Sequence, residues 1–275
     1  MRLALNLTLC LCLALPARAE PACGGDLPCE TASGSYRIAL PEGDGPYPVV
    51  MFLHGYGGSA RGTMRGSTAR TALARGYAFI APEGLVRQGR ERTSWNFHPD
   101  FPGRRNEAAF LREVMQDAGH RFGIDPARSL LAGFSIGGSL ASYVACSHPG
   151  DFAAYAPVSG SFWLPLPESC AGPVRILHVH GWRDRVVPLE GREIRPGFAQ
   201  GDVFEAMRLW RGTNECARHD PDLFEAAEGY WRRAWLDCAP GSALEMGLFD
   251  GGHGVPRGWS DMALDWFEAQ IGATQ

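Results

Sequence analysis

An α/β fold, with a mostly parallel central sheet and helices on both faces, is what this chain of 275 residues predicts. Three observations predict it. Strand-length runs recur that are almost continuously apolar, as strands buried on both faces are. Segments with apolar residues at helical spacing lie between them, the alternation that right-handed crossovers produce. Four of the runs end in polar or glycine-rich sequence, "LHGYGGS", "GFSIGG", "HVHGWRD" and "FDGGHG", and in such sheets functional groups gather at the carboxyl ends of the strands.

The first 19 residues read as a leader. Arg2, an apolar run from Leu3 to Leu15, Pro16 and then Ala17-Arg18-Ala19 match a secretory signal peptide, and the run is shorter than the roughly 20 residues of a membrane span. Cleavage after Ala19 leaves residues 20–275 as one domain, secreted or periplasmic. No cysteine follows the cleavage site directly, so no membrane anchor is expected. "SYRIAL" (35–40) alternates as an edge strand does. "PVVMFLHG" (48–55), "YAFIAPEG" (77–84), "SLLAGFS" (129–135), "FAAYAPVSG" (152–160), "VRILHVHG" (174–181) and "ALEMGLFDGGHG" (243–254) are the buried strands. Helical spacing marks 106–121, 137–148, 203–210 and 259–270. The segment between Ser159 and Pro173 is too short to hold a large lid domain.

Composition narrows the chemistry. All 26 basic residues are arginine, which excludes a P-loop lysine, Schiff-base catalysis and a lysine general base. Setting aside Arg2 and Arg18 leaves 24 basic against 30 acidic residues. A mildly acidic chain gives no electrostatic reason to expect nucleic acid or anionic membrane as a partner. Of eight cysteines, Cys10 and Cys12 fall in the leader, and the six that remain suit an oxidising compartment. Many connectivities are open to six cysteines. Pairing of sequence neighbours, Cys23 with Cys29, Cys146 with Cys170 and Cys216 with Cys238, is the expectation. They lack C-x-x-C or H-x₃-H spacing, so no metal and no cofactor is expected.

Gly133-Phe134-Ser135-Ile136-Gly137 fits the G-x-S-x-G nucleophile elbow. The strand-to-helix turn is so tight that side chains two positions either side of the serine would meet backbone, and the serine is held strained and exposed. The alternative for such a serine is a helix cap, but an apolar strand before it and an amphipathic helix after it favour the nucleophile. A hydroxyl needs a base, and in this fold the partners follow in the order serine, acid, histidine. His148 lies on the helix after the elbow, His178 and His180 lie within or at the end of a strand, and His219 lies between cysteines. His253, flanked by Gly251, Gly252 and Gly254, can be brought over the serine and is the expected base. Asp184, in a loop closed by Pro188, is the expected acid; Asp250, three residues before His253, is its rival. The oxyanion hole is expected from the N–H groups of Ile136 and Tyr56, with His54 a structural residue beneath.

Together these motifs identify more than a fold. The chain resembles the α/β-hydrolase esterases grouped with polyhydroxybutyrate depolymerases, feruloyl esterases and acetylxylan esterases. The resemblance runs from about Ser35 to Trp266 and rests on "LHGYGGS", "SWNF", "DPARSLLAGFSIGGSLASYVAC", "FAAYAPVSG", "HVHGWRDRVVP" and "GGHGVPRGW". It implies an α/β-hydrolase fold, a serine esterase activity on small or oligomeric esters, and a Cys146–Cys170 pair. Two departures concern the acyl pocket: Ile136 stands where a small or polar residue is common, and Val255-Pro256 stands where Trp-Pro is. Trp95 and His98 in the loop after "APEG", Trp163 after "PVSG" and Trp182 beside the acid are candidate substrate-binding surfaces for an aromatic acyl group or a sugar; packing in the core is the alternative for each. A secreted peptidase or acyltransferase, a depolymerase of solid polyester, and a non-catalytic binding protein on the same fold are the competing readings.

Overall fold

A computed structural model of the protein describes residues 23–86, 89, 91–98 and 105–272. The expected leader, residues 1–19, lies outside the described residues. In chain order the elements are β1 (Cys29–Glu30), β2 (Ser35–Ala39), β3 (Tyr47–Leu53), α1 (Ala60–Met64), α2 (Ser67–Ala74), β4 (Ala78–Pro82), β5 (Leu85–Val86), β6 (Thr93–Ser94), α3 (Glu107–Phe122) and β7 (Ile124–Phe134). There follow α4 (Ile136–Ser147), β8 (Ala154–Val158), β9 (Arg175–Gly181), β10 (Arg192–Arg195), β11 (Phe198–Gln200), α5 (Val203–Thr213), β12 (Leu223–Ala227), β13 (Tyr230–Trp235), β14 (Ala243–Phe249) and α6 (Trp259–Gly272).

Ten strands form one sheet in the order β1-β2-β4-β3-β7-β8-β9-β14-β13-β12. Its centre is parallel: β3 pairs with β4 and β7, β8 bridges β7 and β9, and β9 pairs with β14. Its margins are antiparallel, β2 and β1 beside β4, and the β13–β12 hairpin beside β14. The continuous apolar runs have a direct cause. Val49, Met51 and Leu53 of β3 share one buried cluster with Val114 of α3, Leu140 of α4 and Trp210 of α5, while Val50 and Phe52 share the other with Ala69 of α2 and Phe267 of α6. Both faces are covered, so successive residues are buried, each large one contributing roughly 1.5–3 kcal/mol.

Helix ends follow local chemistry. The Asn106 side chain accepts from the Ala109 N–H to start α3, and Gly123 ends it in the left-handed region at φ 65°. Asp202 caps α5 by accepting from Phe204 and Glu205. Three features differ from the sequence reading. β2 is not an edge strand, because the two-residue β1 pairs outside it. α1 and α2 bury only Ala60, Ala69 and Ala72, and each adds a single large apolar residue, Met64 and Leu73, so no spacing of large side chains reveals them. The β12–β13 hairpin, whose first strand is mostly exposed, mixes charges with aromatics and has no apolar run to read.

The three neighbour disulfides, Cys23–Cys29, Cys146–Cys170 and Cys216–Cys238, are all present. Among the described residues no helix is long and apolar enough to cross a membrane. Cys146–Cys170 closes a span of 24 residues between the end of α4 and the loop before β9. Replacing both cysteines by serine should lower the unfolding free energy by about 3 kcal/mol by the loop-entropy account, read as a lower denaturant midpoint. Thiol labelling of the denatured, unreduced mature protein should find no free cysteine.

Candidate active site

β7 ends at Phe134 and α4 begins at Ile136, so the whole turn falls on Ser135, at φ 58° and ψ −124°. A non-glycine residue held there stores about 1–3 kcal/mol of strain. The flanking glycines are required by contact: a Cβ on Gly133 would lie 2.5 Å from the Gly137 carbonyl, and one on Gly137 would lie 2.3 Å from the Leu53 oxygen. The Ser135 N–H donates to the Val158 oxygen at 2.9 Å, anchoring the turn to the neighbouring strand.

His253 Nε2 is 3.0 Å from Ser135 Oγ, and His253 Nδ1 is 2.7 Å from Asp184 Oδ2. The histidine loop is held from several sides. Trp182 N–H donates to the Phe249 oxygen and Arg183 N–H to the Gly251 oxygen, both at 2.8 Å. Ser159 Oγ donates to the Gly254 oxygen at 3.2 Å. Gly181 lets the loop close on β9, since a Cβ there would lie 2.3 Å from the Gly252 oxygen.

The Asp184 side chain is fully buried, and its Oδ1 accepts from the Val186 and Val187 N–H groups, each at 2.8 Å. Burial by itself would raise its pKa. The hydrogen bond from His253, the Val187 and Val186 N–H groups and the electrostatic attraction of the His253 ring outweigh burial and hold the carboxyl below its ordinary value. Asp250, the rival acid, points into solvent and pairs with Arg183 at 3.0 Å.

The "LHGYGG" loop lies against the serine: a Cβ on Gly55 would be 3.3 Å from Ser135 Cβ. Among the described residues the Tyr56 and Ile136 N–H groups have no protein acceptor. His54 is buried beneath the loop; its Nδ1 donates to the Gly55 oxygen at 2.8 Å and its Nε2 accepts from the Gly84 N–H at 3.0 Å.

The aromatic candidates divide. Trp95 is wholly buried, donates to the His54 oxygen at 2.8 Å and lies 4.8 Å from the His54 ring. It braces the glycine loop and cannot touch substrate. His98 is also buried, 3.2 Å from the Leu164 oxygen through Nε2, and packs with Trp163, Tyr143 and Phe198. With Phe97 and Tyr143 it lines a cavity of about 920 Å³. Trp163 is half-buried in the same cluster, against Phe97 and Phe198. Trp182 is exposed and meets Trp231 edge-on at 6.2 Å. With Phe224, Arg233, Met246 and Leu248 they line a groove of about 390 Å³. Sequence reasoning missed Trp231 and Phe224, because they lie on the unrecognised hairpin. It also missed Ser159 (φ 49°), whose only signal is the "SG" at a strand end.

A ten-stranded sheet with a parallel centre, bearing at its carboxyl edge a serine elbow hydrogen-bonded through histidine to a buried aspartate, is that of an α/β-hydrolase esterase. Residues 33–196 match the family described as "Putative esterase", and the chain belongs to that family. It is 32% identical over 261 residues to the putative esterase NocK of Nocardia uniformis subsp. tsuyamanensis, spanning 86% of this chain and 71% of that one. It is 29% identical over 238 residues to feruloyl esterase C of Emericella nidulans, spanning 81% and 77%. Among solved structures, the acetyl xylan esterase from Aspergillus awamori superposes with a TM-score of 0.65 at 17% identity, over 85% of this chain and 93% of that one, a likeness of fold.

The lowered Asp184 pKa has a sign that can be checked. A carboxyl whose folded pKa lies below its unfolded value adds stability above the unfolded value, and that stability is lost as pH falls through the folded one. The protein should therefore lose stability on acidification below about pH 4, the ordinary aspartate range. Asp184→Asn should flatten that acid-side slope in denaturant titrations run at several pH values.

Proposed function

We propose that the protein is an exported serine esterase that hydrolyses carboxylic esters through an acyl-enzyme on Ser135. The observation that carries this reading is the unbroken hydrogen-bond chain from Asp184 through His253 to Ser135. Ser135 Oγ attacks the ester carbonyl carbon while His253 Nε2 takes its proton. Asp184 holds His253 in the tautomer with Nδ1–H and stabilises the imidazolium. The negative charge that develops on the carbonyl oxygen is met by the Tyr56 and Ile136 N–H groups. The intermediate collapses with cleavage of the carbon–oxygen bond, and His253 returns the proton to the departing alcohol. Water then repeats the sequence on the acyl-enzyme, releasing the acid and restoring Ser135. Three disulfides and the leader-like first 19 residues support export.

The substrates are soluble short-chain acyl esters, hydroxycinnamoyl or acetyl esters of sugars, or soluble hydroxyalkanoate oligomers. Similarity to a feruloyl esterase supports the second class. The exposed Trp182–Trp231 groove supports a bulky, flat group near the acid loop.

Ser135→Ala and His253→Ala should each lower kcat by several orders of magnitude with circular dichroism unchanged, and Asp184→Asn by on the order of 10³–10⁴. If Asp184→Asn is near neutral and Asp250→Asn is damaging, the acid is misassigned. A panel of acetyl, butyryl, feruloyl and palmitoyl esters, run beside a peptide and a polyhydroxybutyrate suspension, tests the substrate class. The expectation is high kcat/KM on the short or feruloyl esters, and Trp182→Ala should raise KM for feruloyl more than for acetyl esters. Preference for palmitoyl, for the peptide or for solid polymer would refute it.

A further inference from the structure

Two histidines that the proposed chemistry does not use lie under the acid. His178 and His180 alternate along β9, so both face the same side of the sheet. Their rings stack 5.4 Å apart at 8°, and both are buried. Their cross-strand partners on β14 are Met246 and Leu248, which offer no charge or hydrogen bond. The titratable groups facing them are each other, Asp184 and, beyond it, His253.

The hydrogen bonds run in one direction. His180 Nε2 lies 2.7 Å from the Val187 carbonyl oxygen, which can only accept, so this nitrogen carries the proton. His180 Nδ1 is then an acceptor, and His178 Nε2 donates to it at 3.1 Å. Burial first, and then the nearness of the two rings, keeps His178 neutral; burial likewise lowers the His180 pKa despite the Val187 bond and the Asp184 charge. Val187 is the residue whose N–H, with that of Val186, donates to Asp184 Oδ1. One end of its peptide unit therefore orients the carboxylate, and its own carbonyl is tied to His180.

We propose that His180, held as the Nε2–H tautomer by the Val187 carbonyl with His178 donating to its Nδ1, is a positioning residue that holds the 184–187 turn and so aims the Asp184 carboxylate at His253. The inference rests on the serine-esterase reading for its kinetic readout. Without the His180 donor, the Val187 carbonyl is left unpaired in a buried place and the turn gives way to satisfy it. Asp184 then no longer meets His253 Nδ1 squarely. The imidazolium loses part of its stabilisation, which lowers kcat and moves the acid limb of kcat/KM.

Three variants test this: His180→Leu fills similar space without a donor, His180→Gln keeps an N–H donor, and His178→Leu removes the donor to His180 Nδ1. His180→Leu should lower kcat about 100-fold, a part of the loss that misplacing the acid causes, with KM within about twofold. Its acid limb of kcat/KM should move to lower pH by roughly half a unit or more, as a weakened carboxylate partner requires. His180→Gln should recover most of the rate and of the limb. Nitrogen-15 spectra of the wild-type protein should show His180 neutral and protonated at Nε2, and His178→Leu should weaken that preference; this readout needs no turnover. A purely structural role would lower the melting temperature of His180→Leu and His180→Gln alike and leave the limb in place, which would overturn the proposal. So would finding His180 protonated at Nδ1 in the wild type, even if His180→Leu does not fold. Retained activity in Ser135→Ala would instead refute the esterase mechanism and leave the tautomer result standing.

Discussion

Asp184 is a charge without water. Its side chain is fully buried at the end of β9, and an isolated carboxylate in such a place would cost several kcal/mol. What makes it tolerable is a set of donors arriving from three directions: His253 Nδ1 on one oxygen, and Val186 and Val187 N–H on the other. Each donor imposes a demand on its surroundings. The Val pair requires the tight turn that Pro188 follows. His253 requires a loop that crosses from the end of β14, pressed so closely to β9 that only glycine fits at position 181. The serine elbow meets this arrangement from the other side, with Ser159 tying the histidine loop to the end of β8. The carboxyl edge of the sheet is in this sense built around one desolvated anion.

Much of this edge was legible because its causes are local. Gly133 and Gly137 announce a backbone that excludes Cβ atoms, and the run of glycines around His253 announces a loop that must travel. The parallel strands were legible because burial on both faces leaves no polar residue to break the run. Asp184 and Asp250 could be separated only by reach, an argument about distance, and the structure sends Asp250 to solvent with Arg183. What stayed hidden depends on partners remote in sequence. Trp95 looks like any loop tryptophan until its indole N–H is seen on the His54 carbonyl, and His98 until its neighbours from α4 and the 162–164 segment surround it. α1 and α2 turn alanines to the sheet face they cover, and with one large apolar residue each they show no periodicity to read.

The aromatic residues illustrate how one residue type serves two ends. Trp95 buries its whole surface and spends its single donor on the backbone, which stiffens the loop that carries Tyr56. Trp182, two residues before the acid, leaves half its surface in water, and its neighbour Trp231 comes from a hairpin added at the margin of the parallel sheet. That hairpin lies apart from the elements that carry the triad, so a substitution on it can alter the groove while leaving the reacting groups untouched.

The hairpin also closes the sheet badly. Among the described residues β12 is the last strand on its side, so one row of its peptide groups has no neighbouring strand there, and Leu223 and Phe224 on it are exposed. Such an edge is a template for another chain to add to. Glu225, facing Arg232 across the pair, is the charge that interrupts it. This margin is therefore a place where crowding or warming short of unfolding can bring two molecules together strand to strand, with the well-packed core left intact.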